Sequence, residues 1–251
     1  MTTDPAAGDM AACPYRVAQP TMIQRWTALT FLHWRFPPEA VQRLLPANLE
    51  AEVRDGSAWV GLVPFLMEVG LPRVKPVPWA SRFCETNVRT YVHDVSGRSG
   101  IWFFSLDASR LGAVVVARST YRLPYFWAGM NVDRDGSTIT YHCRRRWPGP
   151  AGTASHAEIE IGPPYQPDEA SPLEHFLTAK WVLFSVAGTR RRFALAEHAP
   201  WPLHHARVVR LDDHLVTAAG LPGPEGTPLA HFSPGVEVKI GRPHTEPSRP
   251  N

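Results

Sequence analysis

Lysine is nearly absent from this chain. Only Lys75, Lys180 and Lys239 interrupt a cationic set that is otherwise arginine, so chemistry that needs a deprotonable amine has few places to occur. Cysteine is equally sparse. Cys13, Cys84 and Cys143 show no paired metal-ligand spacing, and an odd number leaves one over from any disulfide framework. Reduced thiols in a cytoplasmic protein are the expectation, with Cys84 read as a small core residue. The opening residues, MTTDPAAGDMAACPY, lack the positive start and apolar run of a signal peptide. No stretch approaches the roughly 20 apolar residues of a spanning helix, so no membrane partner is expected. A net charge of +3, spread over scattered basic residues, gives no footprint for nucleic acid. A tight basic run, Arg190-Arg191-Arg192, follows a Gly-Thr pair and reads as a solvated turn flank.

Signature motifs are missing as well. Neither phosphate cradle is present: there is no GxGxxG after a strand and no GxxxxGK[ST]. The GxSxG elbow of serine hydrolases is also missing. Histidines are plentiful, and His198 with His204-His205 is the densest group. No HExxH helix or three-ligand spacing accompanies them, and neighbouring side chains on a strand point to opposite faces. The expectation is therefore no metal and no cofactor.

What is present suits one sizeable core: 251 residues, 44% hydrophobic and 20% charged. Residues 1–20 are small, polar and Pro-punctuated and read as a flexible arm, 21–242 as a single domain, and 243–251 as a disordered tail. Within the domain, Gln24–Trp34 reads as a strand and Pro37-Pro38-Glu39 opens a short helix. Asp55-Gly56 turns a hairpin between Leu49–Val53 and Ala58–Val69. Pro72–Pro78 is a proline-rich loop. Ser96-Gly97 joins Phe83–His93 to Gly100–Leu106, and Asp107 or Ser109 is placed to cap a helix from Ser109 to Tyr121. In that helix Leu111, Val114, Val115 and Arg118 share a face, although AVVVA also fits a buried strand. Further strands are expected at Phe126–Val132, Thr138–Arg146, His156–Ile161, Phe193–Ala196, Ala206–Arg210, Leu229–Ser233 and Val236–Ile240. A helix starting at Ser171-Pro172 and running to about Ser185 follows from its N-terminal signals, and Asp212–Ala218 suggests another. Many antiparallel strands with a few helices make an α+β domain dominated by a curved sheet or barrel.

One strand stands out. In RFCETNVRTYVHD, Glu85, Asn87, Arg89 and Tyr91 fall on one face, and Thr86, Val88, Thr90 and Val92 on the other. The β-branched face is the natural core side. The polar row is then either the wet outside of a sheet or the lining of a cavity. In a cavity, Glu85 and Arg89 would clamp a small ligand, and Arg118 projecting inward would add a fixed charged donor for a carboxylate. Burial would raise the Glu85 pKa and suit it to proton transfer. A structural Glu–Arg ladder is the competing account. His33, in LHW, reads as a hydrogen-bonded core histidine.

Longer stretches carry a family resemblance. LTFLHWRFPPEAVQRLLP, DGSAWVGLVPFLM, FCETNVRTYV, IWFFSLDAS, VVVARSTYRLPYFWAGM, SPLEHFLTAKW, HAPWPL and LAHFSPGVEV span almost everything from Trp26 to Val238. In this order they resemble the YqjF-like family, which belongs with the acetoacetate-decarboxylase-like fold. That resemblance implies a cone-like antiparallel β-barrel around a central cavity, commonly in a homo-oligomer. In acetoacetate decarboxylase a cavity lysine forms a Schiff base with the keto acid, helped by a second lysine and glutamates. The resemblance matches Glu85 to one of those glutamates and VAR followed by LPY to the lysine-bearing segment. Here Tyr125 and Phe126 stand in place of the lysine pair, and Lys180 occupies a position the family more often fills with arginine. Decarboxylation through a lysine imine is accordingly not expected.

The function expected is a small-molecule enzyme, of lyase, isomerase or hydrolase type, acting on a carbonyl or carboxylate compound. Glu85 would be general acid or base, Arg89 and Arg118 would bind the anionic oxygen, and Asn87, Tyr91 and Tyr125 would orient the ligand. A non-catalytic metabolite-binding protein is the alternative. A filled barrel holding only a salt-bridge ladder is the third.

Overall fold

The computed structural model describes residues 12–70, 81–187 and 190–245. The proline-rich segment Pro72–Pro78 lies outside the described residues. In order, the elements are β1 (Met22–Phe36), α1 (Pro38–Gln42), β2 (Leu49–Ala51), β3 (Val53–Arg54), β4 (Ser57–Gly70), β5 (Arg82–Asp94), β6 (Ser99–Ala108), α2 (Leu111–Thr120) and β7 (Tyr125–Asp135). They continue as β8 (Thr138–Trp147), β9 (Ala154–Pro164), α3 (Pro172–Thr178), β10 (Val182–Ala187), β11 (Arg190–His198), β12 (His204–Asp213), α4 (Leu215–Ala218), β13 (Leu229–Ile240) and β14 (His244–Thr245).

All of these strands join one 14-stranded sheet that closes on itself twice, because β5 also pairs with β6 and β11 with β13. One ring runs through β1, β4, β5, β6, β7, β8, β9, β12 and β13; the other runs through β1, β4, β5, β6, β10, β11 and β13. Pairing is antiparallel except where β6 meets β7 and β10. The fold is therefore α+β, mainly antiparallel, and barrel-like, as the sequence suggests.

The two rings share the wall β13-β1-β4-β5-β6, and both faces of that wall are covered. Val60, Leu62 and Val88 face a core with Ile139, Ile159 and Phe232. Leu29, Phe31, Val63 and Phe65 lie in a second cluster with Phe83, Ala108 and Val114. Strand β5 consequently has no wet side: every residue from Glu85 to Val92 is buried. Its polar row looks inward.

Local chemistry explains the turns. Asp55 and Gly56 both take positive φ, 53° and 73°, which a two-residue hairpin of type I′ requires. At Gly235, φ is 129° and a Cβ would sit 2.1 Å from the Trp26 carbonyl oxygen. Glycine there lets β13 press against β1 and run unbroken from Leu229 to Ile240, where the sequence suggests two strands.

Other expectations are corrected. β2 pairs with β5, so only Val53–Arg54 forms the hairpin with β4. AVVVA is helical, but neither Asp107 nor Ser109 caps α2; its N-cap is Arg110, without a side-chain cap bond. Asp107 is taken by Arg145, and the Ser109 hydroxyl accepts from the Cys84 backbone N–H at 3.0 Å. Helix α3 has its capping box, Ser171 with Glu174, but ends at Thr178. The run from Val182 to Ala187 has the β-branched and aromatic content of a strand and pairs with β11 and β6. Arg191 is no solvated flank: it is buried, with Nη2 3.3 Å from the Asp94 carboxylate and Nη1 donating to the Asn48 carbonyl. Cys84 is half-exposed. The tail begins with β14, paired to Arg192 and Phe193. In the arm, Val17 is buried and its N–H donates to Glu197 at 2.5 Å.

A bidentate pair ties the wall to the outer ring: Arg145 Nε and Nη2 of β8 donate to Asp107 of β6 at 2.8 and 2.7 Å, both side chains buried. Removing one member leaves the other charge buried and unpaired. Arg145→Met is expected to cost about 3–5 kcal/mol of unfolding free energy, read from the urea midpoint. The double variant Arg145→Met/Asp107→Leu should recover most of that loss.

Candidate functional site

Three strands set the geometry. In register, Glu85 lies between Phe65 of β4 and Ala108 of β6, Asn87 between Val63 and Leu106, and Arg89 between Gly61 and Phe103. Alternation therefore delivers an acid, an amide and a guanidinium to one side among apolar neighbours. Along a strand, Glu85 and Arg89 are about 13 Å apart at 3.3 Å per residue. Their exposures are 2%, 5% and 5% for Glu85, Asn87 and Arg89. All three line a cavity of about 510 Å³ to which β1, β4, β5, β6, α2, β10, β11 and β13 contribute residues. Tyr125, at the head of β7, lines it too.

Each member of the row is held differently. The Tyr125 hydroxyl donates to Glu85 Oε2 at 3.0 Å. Burial pushes the Glu85 carboxyl from 4.5 up to about 8; hydrogen bonds from Tyr125 and Asn87 pull it back, and the Asp107 charge adds to the rise. Glu85 is thus a carboxylic acid at neutral pH. Burial also drives the Tyr125 phenol well above its ordinary value. Asn87 Oδ1 is buried and has no hydrogen-bond partner.

Arg89 is positioned by what lies behind it. Gly61 stands between His33 and Arg89 in the register, and a Cβ there would come within 3.0 Å of the His33 ring and 3.5 Å of Arg89 Cγ. The missing side chain lets imidazole and guanidinium share one space, the close approach that a strand glycine permits. Tyr91 locks them. Its hydroxyl donates to the Leu177 carbonyl at 2.6 Å and so receives His33 Nε2 at 2.6 Å as a donor. His33 is therefore the Nε2–H tautomer with a bare, unpartnered Nδ1. Burial, with the charges of Arg89 and His231, holds it well below the usual histidine range, hence neutral.

The guanidinium itself is under-used. Nη2 makes two long contacts, 3.4 Å to Tyr91 and 3.3 Å to the Leu177 carbonyl, and Nε has no hydrogen-bond partner. Its carbon sits 5.3 Å from the Phe31 ring. Among the described residues, no carboxylate lies within ion-pair distance of it. The Glu85–Arg89 ladder weighed from the sequence does not form.

Two of the proposed ligand contacts are displaced. Tyr91 faces the same side as Arg89 but lies under Phe176 and Leu177, outside the cavity lining. Its role in the geometry is to fix His33. Arg118 does not enter the cavity. Nη1 donates to the Tyr125 carbonyl at 2.6 Å, and the guanidinium lies over Trp147. Helix α2 contributes Ala113, Val116, Ala117 and Tyr121 to the cavity lining, although Val116, like Leu111 and Val115, is exposed. Of the face read from helical spacing, Val114 alone is fully buried. Gly61 is a positioning residue that the sequence reading passed over; an isolated glycine inside a strand pattern is its signal.

Among the described residues, no lysine lines this cavity. Lys180 is buried against Glu52 at 2.5 Å and Ser99 at 2.6 Å, and Lys239 pairs with Glu197. Lys75 lies outside the described residues. Among the described residues no group of three His, Cys, Asp or Glu side chains is arranged to hold a metal. His198 and His204 are bound to backbone carbonyls and His205 to Glu169. No helix among the described residues is long and apolar enough to cross a membrane.

The fold is that of acetoacetate-decarboxylase-like proteins. An acetoacetate-decarboxylase-like enzyme from Sphingomonas wittichii RW1 superposes with TM-score 0.64 at 12% identity, covering 94% of this chain and 97% of that one. The enduracididine biosynthesis enzyme MppR with bound HEPES gives TM-score 0.62 at 12% identity, over 90% and 88%. Acetoacetate decarboxylase from Legionella pneumophila subsp. pneumophila str. Philadelphia 1 gives 0.60 at 11% identity, over 98% of each. Within that fold, the chain belongs to the DUF2071 family, "Uncharacterized conserved protein (COG2071)", which it matches over residues 23–237. It is 34% identical over 219 residues to "Uncharacterized protein YqjF" of Bacillus subtilis (strain 168), covering 86% of this chain and 89% of that protein.

The Glu85 proton makes stability depend on pH. With a folded pKa of about 8 against 4.5, the native state keeps a proton that the unfolded chain releases. That stabilisation is complete below about pH 4.5 and is lost as pH climbs to about 8. Glu85→Gln should flatten this decline and, near pH 9, exceed the wild type by roughly a few kcal/mol. Urea midpoints across the range check it.

Proposed function

We propose that this protein is an enzyme acting on a small carbonyl or carboxylate compound inside the cavity, without a lysine imine. The observation that carries the reading is Arg89: a buried, permanently charged guanidinium facing a cavity, with no carboxylate of the described residues within ion-pair distance. Burying such a charge is costly unless a partner arrives. A substrate carboxylate or a developing oxyanion is the partner that suits its planar donor set.

Glu85 supplies the chemistry. A carboxyl near pKa 8 gives and recovers a proton at neutral pH, so it serves a carbon beside a carbonyl that gains or loses one. Asn87 keeps its Oδ1 free for a substrate donor, while Tyr125 holds the Glu85 carboxyl in place. Lysines of the described chain are engaged elsewhere, which supports a route through acid–base and electrostatic assistance alone.

Candidate 2-oxo and 3-oxo acids should raise the melting temperature of the wild type and be turned over. Arg89→Gln should weaken their binding by about 30-fold or more, the scale of a charged hydrogen-bonded contact. Glu85→Gln should keep binding and lose about 100-fold or more in kcat. Binding with no product in the wild type would instead establish a non-catalytic metabolite receptor. Borohydride trapping of a keto acid on any lysine would overturn the imine-free route.

A further inference from the structure

The neighbouring structures share the fold, but the size and chemistry of this cavity belong to this chain. About 510 Å³ falls in the range that encloses a drug-sized molecule. Among the described residues, Glu85 and Arg89 are the two charged residues of its lining, and register fixes where they stand. Arg89 is at the deep end beside Gly61 and His33, followed by Asn87 with Val63, then Glu85 with Phe65. Beyond Glu85 the wall turns apolar. Phe83, Met67 and Trp26 are paired across β5, β4 and β1, and Val69 and Met22 follow. From Phe65 to Gly70 this apolar stretch adds about 17 Å of wall. Ala113, Val116 and Ala117 of α2 line the same cavity with small or aliphatic side chains. Gln24, opposite Val69, has its amide oxygen taken by the Trp26 indole N–H, so among the described residues the charged groups gather at one end of a long, mostly apolar chamber.

From this asymmetry we infer the substrate class, an inference that rests on the proposed function: an amphipathic monocarboxylate, with one acidic or oxo-acid head at Arg89 and Glu85 and an extended apolar body along Phe83, Met67, Trp26 and Val69. A compact head alone leaves most of the chamber without contacts. A second charged group on the ligand would lie against a wall whose described residues offer it no opposite charge.

The test is a binding series of straight-chain acids, butanoate through dodecanoate, with matching n-alkanols as uncharged controls, all below their micelle concentrations. In wild type, affinity should rise about fourfold per added methylene until the chamber is full, and each acid should bind better than its alkanol. Val69→Trp and Ala117→Phe obstruct the outer chamber from opposite walls at half-buried positions. Each should cost dodecanoate about tenfold or more and leave butanoate unchanged.

The failures separate. If butanoate binds as well as decanoate, and does so only with Arg89 intact, the apolar body is wrong and the head-group reading stands. If alkanols match acids and Arg89→Gln changes nothing, the head-group reading falls and this inference falls with it. Full chain-length dependence in both obstructed variants would place the body elsewhere and overturn the assignment, and no binding by any acid would overturn both.

Discussion

The constraint on which this molecule rests is that one stretch of sheet walls two closed rings. Strand β5 has a hydrophobic core on one side and a hollow on the other, so neither face meets bulk water. An acid, an amide and a guanidinium placed there cannot be solvated in the ordinary way. Each must find a protein partner, change its protonation, or await a ligand. Glu85 does the second because burial outweighs the opposing hydrogen bond from Tyr125. Asn87 and Arg89 are left with unused bonding capacity. The chemistry of the site follows from topology before it follows from any single side chain.

Support for the guanidinium comes from three residues that never reach the hollow, or reach it only by their absence. Gly61 leaves space, His33 occupies part of it as a neutral ring, and Tyr91 ties that ring to the backbone of α3 at Leu177. The guanidinium is thereby kept still. Tyr125 is steadied in a similar way, its carbonyl held by Arg118 from helix α2. Functional side chains sit on strands, and their orientation is set from behind by hydrogen bonds of a different set of residues.

Much of this was legible in the sequence because strand alternation is a strong local signal. The row from Glu85 to Arg89, the hairpins at Asp55-Gly56 and Ser96-Gly97, and the capping box at Ser171 all follow from period and turn chemistry. The resemblance to the YqjF-like family carried the architecture. What was not legible depended on partners distant in sequence. Asp107 looks like a helix cap until Arg145, 38 residues later, claims it. Arg191 looks solvated until Asp94 folds over it. Arg118 has the right spacing for an inward face, but rotation of a helix about its axis is decided by what it packs on. The α3 boundary failed for a related reason, since the strand propensity of Val182–Ala187 is satisfied by β11 and β6.

A neutral Glu85 beside a permanently positive Arg89 has an electrical consequence. Below about pH 8 the described charged residues of the lining sum to a positive charge. Once the solution turns alkaline, Glu85 ionises and supplies a negative charge from within, so the lining passes from net positive to electrically balanced across that value.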